Sequence, residues 1–263
     1  MGERTIMDAQ GLRRFSGQVA VVTGAARGIG FAIASRLAAE GASLAIADLS
    51  QADAQSAADE LTRAHGGAVI AVGGDLADEA VVERLHQATR ERFGAADILV
   101  NNAGGGVILP FLQHTAKTLR ATVDRNLWTV LWCSRAFLPD MIARKYGRIV
   151  NLGADSVRNG LVDHAAYNAA KGGVHGLTTG LAREFAQSGV TVNTVAPCAV
   201  NSDQLAKFVI DKPDIAARFL SVIPMGRAAE LAEVASMVAY LATREASFVT
   251  GQVVSVNGGS TML

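Results

Sequence analysis

Cysteine is almost missing from this chain: Cys133 and Cys198 are the only two in 263 residues. They form no CxxC pair and no metal-ligand spacing, so no metal is expected, and they read as reduced thiols of a cytoplasmic protein. An excess of charge is also missing. Twenty-four basic residues balance twenty-four acidic ones. A nucleic-acid binder ordinarily carries a basic surplus that displaces counterions, so no nucleic-acid partner is expected. No apolar run approaches the roughly 20 residues that span a bilayer, which leaves no expected membrane partner. The first fifteen residues are polar, include Arg4, Arg13 and Arg14, and lack the apolar core of a secretory signal. They read as a flexible arm (1–15) ahead of a single domain (16–263). Only 18% of the residues are charged and half are hydrophobic, which excludes disorder as a global description and suffices for one sizeable core.

What is present is an alternation of short β-branched runs with longer helical stretches. Strands are expected over Gln18–Thr23, Ser43–Asp48, Ala68–Gly73, Asp97–Asn101, Arg148–Leu152, Val190–Val195 and Gln252–Val256. Helices are expected over Gly28–Glu40, Ala52–His65, Glu79–Phe93, Thr115–Arg144 (bent or interrupted at Pro139), Ala165–Ser188 and Glu230–Thr243. Near-continuous apolar strands separated by helices imply a parallel sheet covered on both faces. Right-handed crossovers make this an α/β fold with a single Rossmann-type, doubly wound sheet in three α/β/α layers. The least regular stretch, Cys198–Pro224, is expected to carry substrate specificity, because loops beyond the strands' carboxyl ends line the cleft.

The first expected strand runs straight into Thr23-Gly24-Ala25-Ala26-Arg27-Gly28-Ile29-Gly30 and then a helix. Glycines there allow a tight turn and close approach of backbone to a pyrophosphate, and the helix N-terminus offers free N–H groups and a positive dipole end. By itself this is a weak signal. Asp48 strengthens it, since it ends the second strand eighteen residues after Gly30. A carboxylate there accepts hydrogen bonds from ribose hydroxyls and repels a 2′-phosphate, which favours NAD over NADP. Arg27 argues the other way unless its guanidinium pairs with Asp48 or solvent. Asp75 and Leu76, just past the third strand, are placed for the adenine edge, and Asp75 could equally cap the next helix.

Tyr167 and Lys171 stand four apart on an expected helix and so share a face. A tyrosine of ordinary pKa near 10 is a poor base at neutral pH. An adjacent ammonium and the positive ring of an oxidised nicotinamide favour the phenolate, which can take the proton of a substrate hydroxyl as its carbon gives up hydride. Taken alone, such a pair is more often an ordinary helix-surface contact.

Context changes that reading. Thr23-Gly24-x-x-x-Gly28-Ile29-Gly30, Asn101-Asn102-Ala103-Gly104, Asn126, Tyr167-x-x-x-Lys171 and Asn193-x-Val195-x-Pro197 follow in this order. From Phe15 to the C-terminus the chain resembles the short-chain dehydrogenase/reductase family. The resemblance implies bound NAD(H) or NADP(H), no metal, a small-molecule substrate and a homotetramer or dimer. It implies that Asn102, Ala103 and Gly104 line the nicotinamide ribose, that Lys171 holds that ribose, and that Asn126 keeps a water in a proton relay. Val200 and Ser202, beyond Pro197, fall where the family meets the carboxamide.

Two positions depart from the family pattern. Thirteen residues before Tyr167, where the family carries a serine, this chain has Ala154. The missing hydroxyl ordinarily donates to the reacting oxygen, and losing one such donor costs about 3–4 kcal/mol in the transition state. Three readings stand: Ser156 replaces it, if extended backbone points residues 154 and 156 the same way; Asp155 or the substrate supplies the polarity; or the chain binds NAD without chemistry. Cys198 follows the proline where the family usually has glycine, and a side chain there narrows the cleft, alters the loop, or is simply a buried small hydrophobe.

Gly104-Gly105-Gly106-x-Ile108-x-Pro110-Phe111 and Leu131–Ala136 look like the branch that oxidises aromatic cis-dihydrodiol carboxylates to catechols. Alternatives are a dehydrogenase of alicyclic or 3-oxoacyl thioester substrates and a non-catalytic NAD-binding protein. Arg158, His164, Lys207 and Lys212 are candidate carboxylate partners by their place in cleft-side loops, or simply solvated charges. The helices over 115–144 and 165–188 carry more apolar surface than one sheet face needs and are expected to pair across a two-fold axis, with the last helix and strand forming a second interface.

Overall fold

The computed structural model describes residues 13–211 and 213–262. Its strands are β1 (Val19–Thr23), β2 (Ser43–Asp48), β3 (Val69–Gly73), β4 (Ile98–Asn101), β5 (Gly147–Leu152), β6 (Val190–Pro197) and β7 (Val253–Val256). They make one sheet in the order β3-β2-β1-β4-β5-β6-β7, with every pair parallel. Val21 faces Ala45 of β2 on one side and Leu99 of β4 on the other. The order therefore reverses beside β1, and a crevice opens beyond the strands' carboxyl ends at that switch point.

The helices are α1 (Gly28–Ala39), α2 (Gln51–His65), α3 (Glu79–Phe93), α4 (Ala116–Val123), α5 (Thr129–Ala143), α6 (Ser156–Asn159), α7 (Ala165–Phe185), α8 (Asp203–Asp211), α9 (Pro213–Ser221) and α10 (Leu231–Ala242). Two cores result, one per sheet face. Ala20 and Val22 of β1 pack with Ile33 and Leu37 of α1 and Val234 and Val238 of α10. Val21, pointing the other way, packs with Leu85 of α3 and Phe137 and Met141 of α5. The strict period of two puts neighbouring residues of one strand into different cores. Helix ends follow local chemistry: Ser50 caps α2 by accepting from Asp53 N at 3.2 Å, and Gly66 closes it at φ 72°.

Three expectations change. The long helix is α4 and α5 joined by one π turn at Asp124–Trp128, and Pro139 lies inside α5 without ending it, held by the buried Phe137, Leu138 and Met141 around it. The stretch after β6 is not irregular: it holds α8 and α9, whose strong amphipathic patterning makes them surface helices. The arm's residues 1–12 lie outside the described residues, but its last residues belong to the domain. Phe15 is fully buried, and Arg14 binds Glu40 through Nη2–Oε1 at 2.8 Å.

Candidate active site

The turn after β1 has the shape its glycines suggest. Gly24 and Gly28 sit at φ +62° and +59°. A Cβ on Gly30 would stand 2.0 Å from the Gly24 carbonyl oxygen. The residue before α1, Arg27, makes no side-chain cap, and the space a Gly28 Cβ would enter is open. The first N–H groups of α1 thus face an open cradle, which fits a pyrophosphate. Asp48 braces the rim: Oδ2 accepts from Ala26 N at 2.9 Å and Oδ1 from Leu49 N at 2.8 Å. Its partners are backbone N–H groups rather than Arg27, which is exposed. Asp75 accepts from Ala77 N at 3.0 Å. It is not the cap of α3, a role taken by Asp78. Leu76 beside it is buried.

Asn102 stitches the ends of β1 and β4 together. Its Nδ2 donates to the carbonyls of Thr23 at 3.0 Å and Gly24 at 2.9 Å, while Thr23 Oγ1 accepts from the N–H groups of Asn102 and Ala103. Behind it runs a buried polar chain that the motifs did not reveal. Asn101 Nδ2 donates to Asn151 Oδ1 at 2.8 Å, Asn151 Nδ2 to Thr178 Oγ1 at 2.9 Å, and Thr178 meets Thr194 at 2.7 Å. This chain ties β4, β5, β6 and α7 in one register, which fixes α7 and its side chains against the sheet.

Gly104, Gly105 and Gly106 cross directly over Asn126, Lys171 and Tyr167. A Cβ on Gly104 would lie 2.9 Å from Asn126 Oδ1 and 3.4 Å from Lys171 Nζ, and one on Gly106 would lie 2.7 Å from Tyr167 Cδ2. Asn126 sits in the π turn. Its Oδ1 accepts from Gly105 N at 3.1 Å, and its Nδ2 donates to Gly105 O at 3.1 Å and Thr122 O at 2.8 Å. Lys171 Nζ donates to Leu152 O at 2.7 Å and stands 5.9 Å from the Tyr167 ring centre. No described residue hydrogen-bonds the Tyr167 hydroxyl. In the protein alone burial dominates both groups, pushing the phenol up to about 12 and the ammonium down to about 8. The sequence argument joined the ammonium to the positive ring of an oxidised nicotinamide, and in the protein alone desolvation outweighs the ammonium.

Ala154 is buried at the edge of this site. The premise for Ser156 does not hold: Asp155 is in the α region (φ −67°, ψ −26°) and starts α6, so residues 154 and 156 are not alternate residues of extended chain. The Ser156 hydroxyl donates to Asn168 Oδ1 at 2.6 Å. Asp155 is no substitute either. It is fully buried and accepts from Asn257 Nδ2 at 2.9 Å and from the hydroxyls of Ser260 and Thr261. Beneath Ala154, His175 Nε2 lies 3.5 Å from the Ala154 N–H. Burial, then Arg158 and Lys171, push this imidazole down to about 4.

On the far wall, Pro197 ends β6, Val200 bridges to Ala229, and Ser202 Oγ accepts from Leu205 N at 3.3 Å at the start of α8. Cys198 is half-buried. Of the proposed carboxylate partners, Arg158 is fastened to β7 through Ser255 Oγ at 2.7 Å and Val253 O at 2.9 Å. Lys207 is exposed on α8, and Lys212 lies outside the described residues. His164 stays beside Tyr167, with ring centres 6.0 Å apart. Among the described residues there is no cluster of three side chains able to hold a metal, and no helix is long and apolar enough to cross a membrane.

The chain is similar to known proteins over nearly its whole length. The family model described as enoyl-(acyl carrier protein) reductase matches residues 24–261. The 2,3-dihydroxy-2,3-dihydro-p-cumate dehydrogenase of Pseudomonas putida is 63% identical over 247 residues, covering 94% of this chain and 95% of that protein. The 3-oxoacyl-(acyl-carrier-protein) reductase FabG of Vibrio cholerae is 39% identical over 247 residues, covering 94% and 98%. Among solved structures, levodione reductase superposes with a TM-score of 0.88 at 33% identity, covering 94% of this chain and 98% of that one.

Proposed function

Since the chain belongs to the short-chain dehydrogenase/reductase family, we propose that it oxidises a carboxylate-bearing aromatic cis-dihydrodiol to the corresponding catechol with NAD. The observation that carries the substrate class is the 63% identity, over nearly the whole of both chains, to a dehydrogenase of such a diol. The reductase of acyl thioesters is a more distant relative at 39%.

When bound, the dinucleotide supplies the acceptor for the substrate's hydride and a positive charge beside the phenol. The chain's residues do the rest. The uncapped α1 N-terminus and Gly24, Gly28, Ile29 and Gly30 hold the pyrophosphate, and Asp48 holds the adenosine ribose. Asp75 and Leu76 border the adenine. Asn102, Ala103, Gly104, Pro197, Val200 and Ser202 enclose the nicotinamide end. Tyr167 takes the proton of the reacting hydroxyl as its carbon gives up hydride. Lys171 keeps its positive charge next to that oxygen, and Asn126 pins the glycine segment that covers both.

With Ser156 and Asp155 engaged elsewhere, the substrate's second hydroxyl is left as the donor to the reacting oxygen. The ketone formed at one carbinol becomes a catechol when the proton of the neighbouring carbinol carbon moves to the ketone oxygen. That aromatisation makes the overall oxidation strongly favourable.

Exposed apolar surface supports a homotetramer. Phe111, Leu112 and Trp128 project on the α4–α5 side and Tyr240 and Phe248 on the α10–β7 side. The free thiols of Cys133 and Cys198 fit a cytoplasmic setting. The test follows absorbance at 340 nm with NAD and a cis-dihydrodiol carboxylate, for the wild type and Tyr167→Phe. Turnover that the variant loses by at least a thousandfold, with NAD still bound, supports the assignment. Turnover only on 3-hydroxyacyl thioesters replaces it.

A further inference from the structure

His164 stands three residues before Tyr167, and its carbonyl accepts from Asn168 N at 2.6 Å at the start of α7. Its imidazole is constrained on several sides. Nδ1 lies 2.7 Å from the Val162 carbonyl, which can only accept, so Nδ1 carries a proton. One ring neighbour is Tyr167, edge-on at 81°. The other is Phe219 of α9, parallel within 9° at 6.3 Å, and Phe219 in turn meets Phe208 of α8 edge-on at 6.5 Å. The imidazole thus stands between the Tyr167 ring and Phe219 of α9, and no described residue engages its Nε2.

Two of the other candidate cations are already bonded within the protein, Arg158 to β7 and Lys171 to the Leu152 carbonyl, and Lys207 is exposed on α8. His175 is held neutral by burial beneath Ala154.

Resting on the proposed function, we infer that His164 reads the substrate's carboxylate and so determines specificity for acidic dihydrodiols. With Nδ1–H held by Val162, Nε2 is the ring nitrogen left for a ligand, and the substrate's carboxylate binds there with one proton shared between the two, a charge-assisted hydrogen bond. The distance is right in kind. In a 2,3-dihydrodiol carboxylate the acid is attached to the ring carbon next to a carbinol, so a donor one side chain from the phenol reaches it. The Phe219 and Tyr167 rings fix the imidazole's orientation, so little freedom is lost when the bond forms.

The experiment compares kcat/KM for two diols with NAD: a cis-2,3-dihydrodiol carrying the ring carboxylate and the cis-dihydrodiol of benzene, which has none. Wild type, His164→Gln and His164→Phe are measured. The expected result is a fall of about tenfold or more in the carboxylate-to-neutral selectivity ratio for His164→Phe, arising in KM for the acid, with His164→Gln between. The ratio is independent of how much of a variant is folded, so a merely structural role leaves it unmoved. An unchanged ratio, or a wild type without preference for the acid, overturns the inference. A wild type that turns over neither diol overturns the proposed function, and this inference with it.

Discussion

Ala154→Ser restores the hydroxyl that the family pattern ordinarily has at this position, and the structure says what it should do. Position 154 is 6% exposed, and its N–H already faces His175 Nε2. A reacting oxygen stabilised by one preorganised donor gains a factor of about 10² to 10³ in rate, roughly 2.7–4 kcal/mol. If a cis-diol provides that donor from its own second hydroxyl, the new serine duplicates it. Turnover of the dihydrodiol should then stay within about threefold, and kcat on a cyclic secondary alcohol lacking the vicinal hydroxyl should rise by about a hundredfold. The hydroxyl also has a cost in stability. Placed at a buried position with no partner until substrate arrives, it should destabilise the protein by about 1–3 kcal/mol, a fall of a few degrees in Tm. Stopped-flow absorbance at 340 nm on both substrates reads the first effect and calorimetry the second. A hundredfold gain on the diol itself would refute the reasoning, because it would show that the natural site lacks a donor the substrate does not supply.

Asp48→Ala should raise KM for NAD by about tenfold or more, through loss of charge-assisted bonds to the ribose, and should let NADP compete, since the carboxylate no longer repels a 2′-phosphate. Initial rates with both dinucleotides check this, and an unchanged preference would remove Asp48 from the cofactor assignment. His175 titrates near 4 in the folded protein against 6.5 for the free group, so the unfolded chain binds more protons between these values. Its contribution to stability is therefore full above pH 6.5 and is lost as pH falls toward 4. Urea midpoints at pH 7 and pH 5 should fall further for the wild type than for His175→Gln, and equal falls would contradict the assignment.

The parallel sheet was legible because its strands are apolar throughout and glycine or charge stops each helix. Ser43–Asp48 and Glu79–Phe93 match their elements end to end. The helices α8 and α9 were not, because they pack on each other through Phe208 and Phe219 and fall in a stretch read for its loops. The π turn at Asp124–Trp128 was also hidden: it keeps the chain helical and contains no glycine or proline to mark it.

Site residues divide the same way. Residues four apart on one helix or within one turn, such as Tyr167 with Lys171 or Gly24 with Gly28, are brought together by local geometry. Their shared location follows from the chain alone. So does the absence of a hydroxyl at 154. What compensates for it depends on where neighbouring hydroxyls and carboxylates find partners. Ser156 is drawn to Asn168, and Asp155 to the C-terminal residues Asn257, Ser260 and Thr261 about a hundred positions away. The ionisation of Tyr167 and Lys171 likewise depends on their burial, to which the covering Gly104–Gly106 segment contributes. Spacing along the chain determined which groups could react. Desolvation and long-range hydrogen bonds, which exist only once the chain has closed on itself, decided which of them remain free to do so.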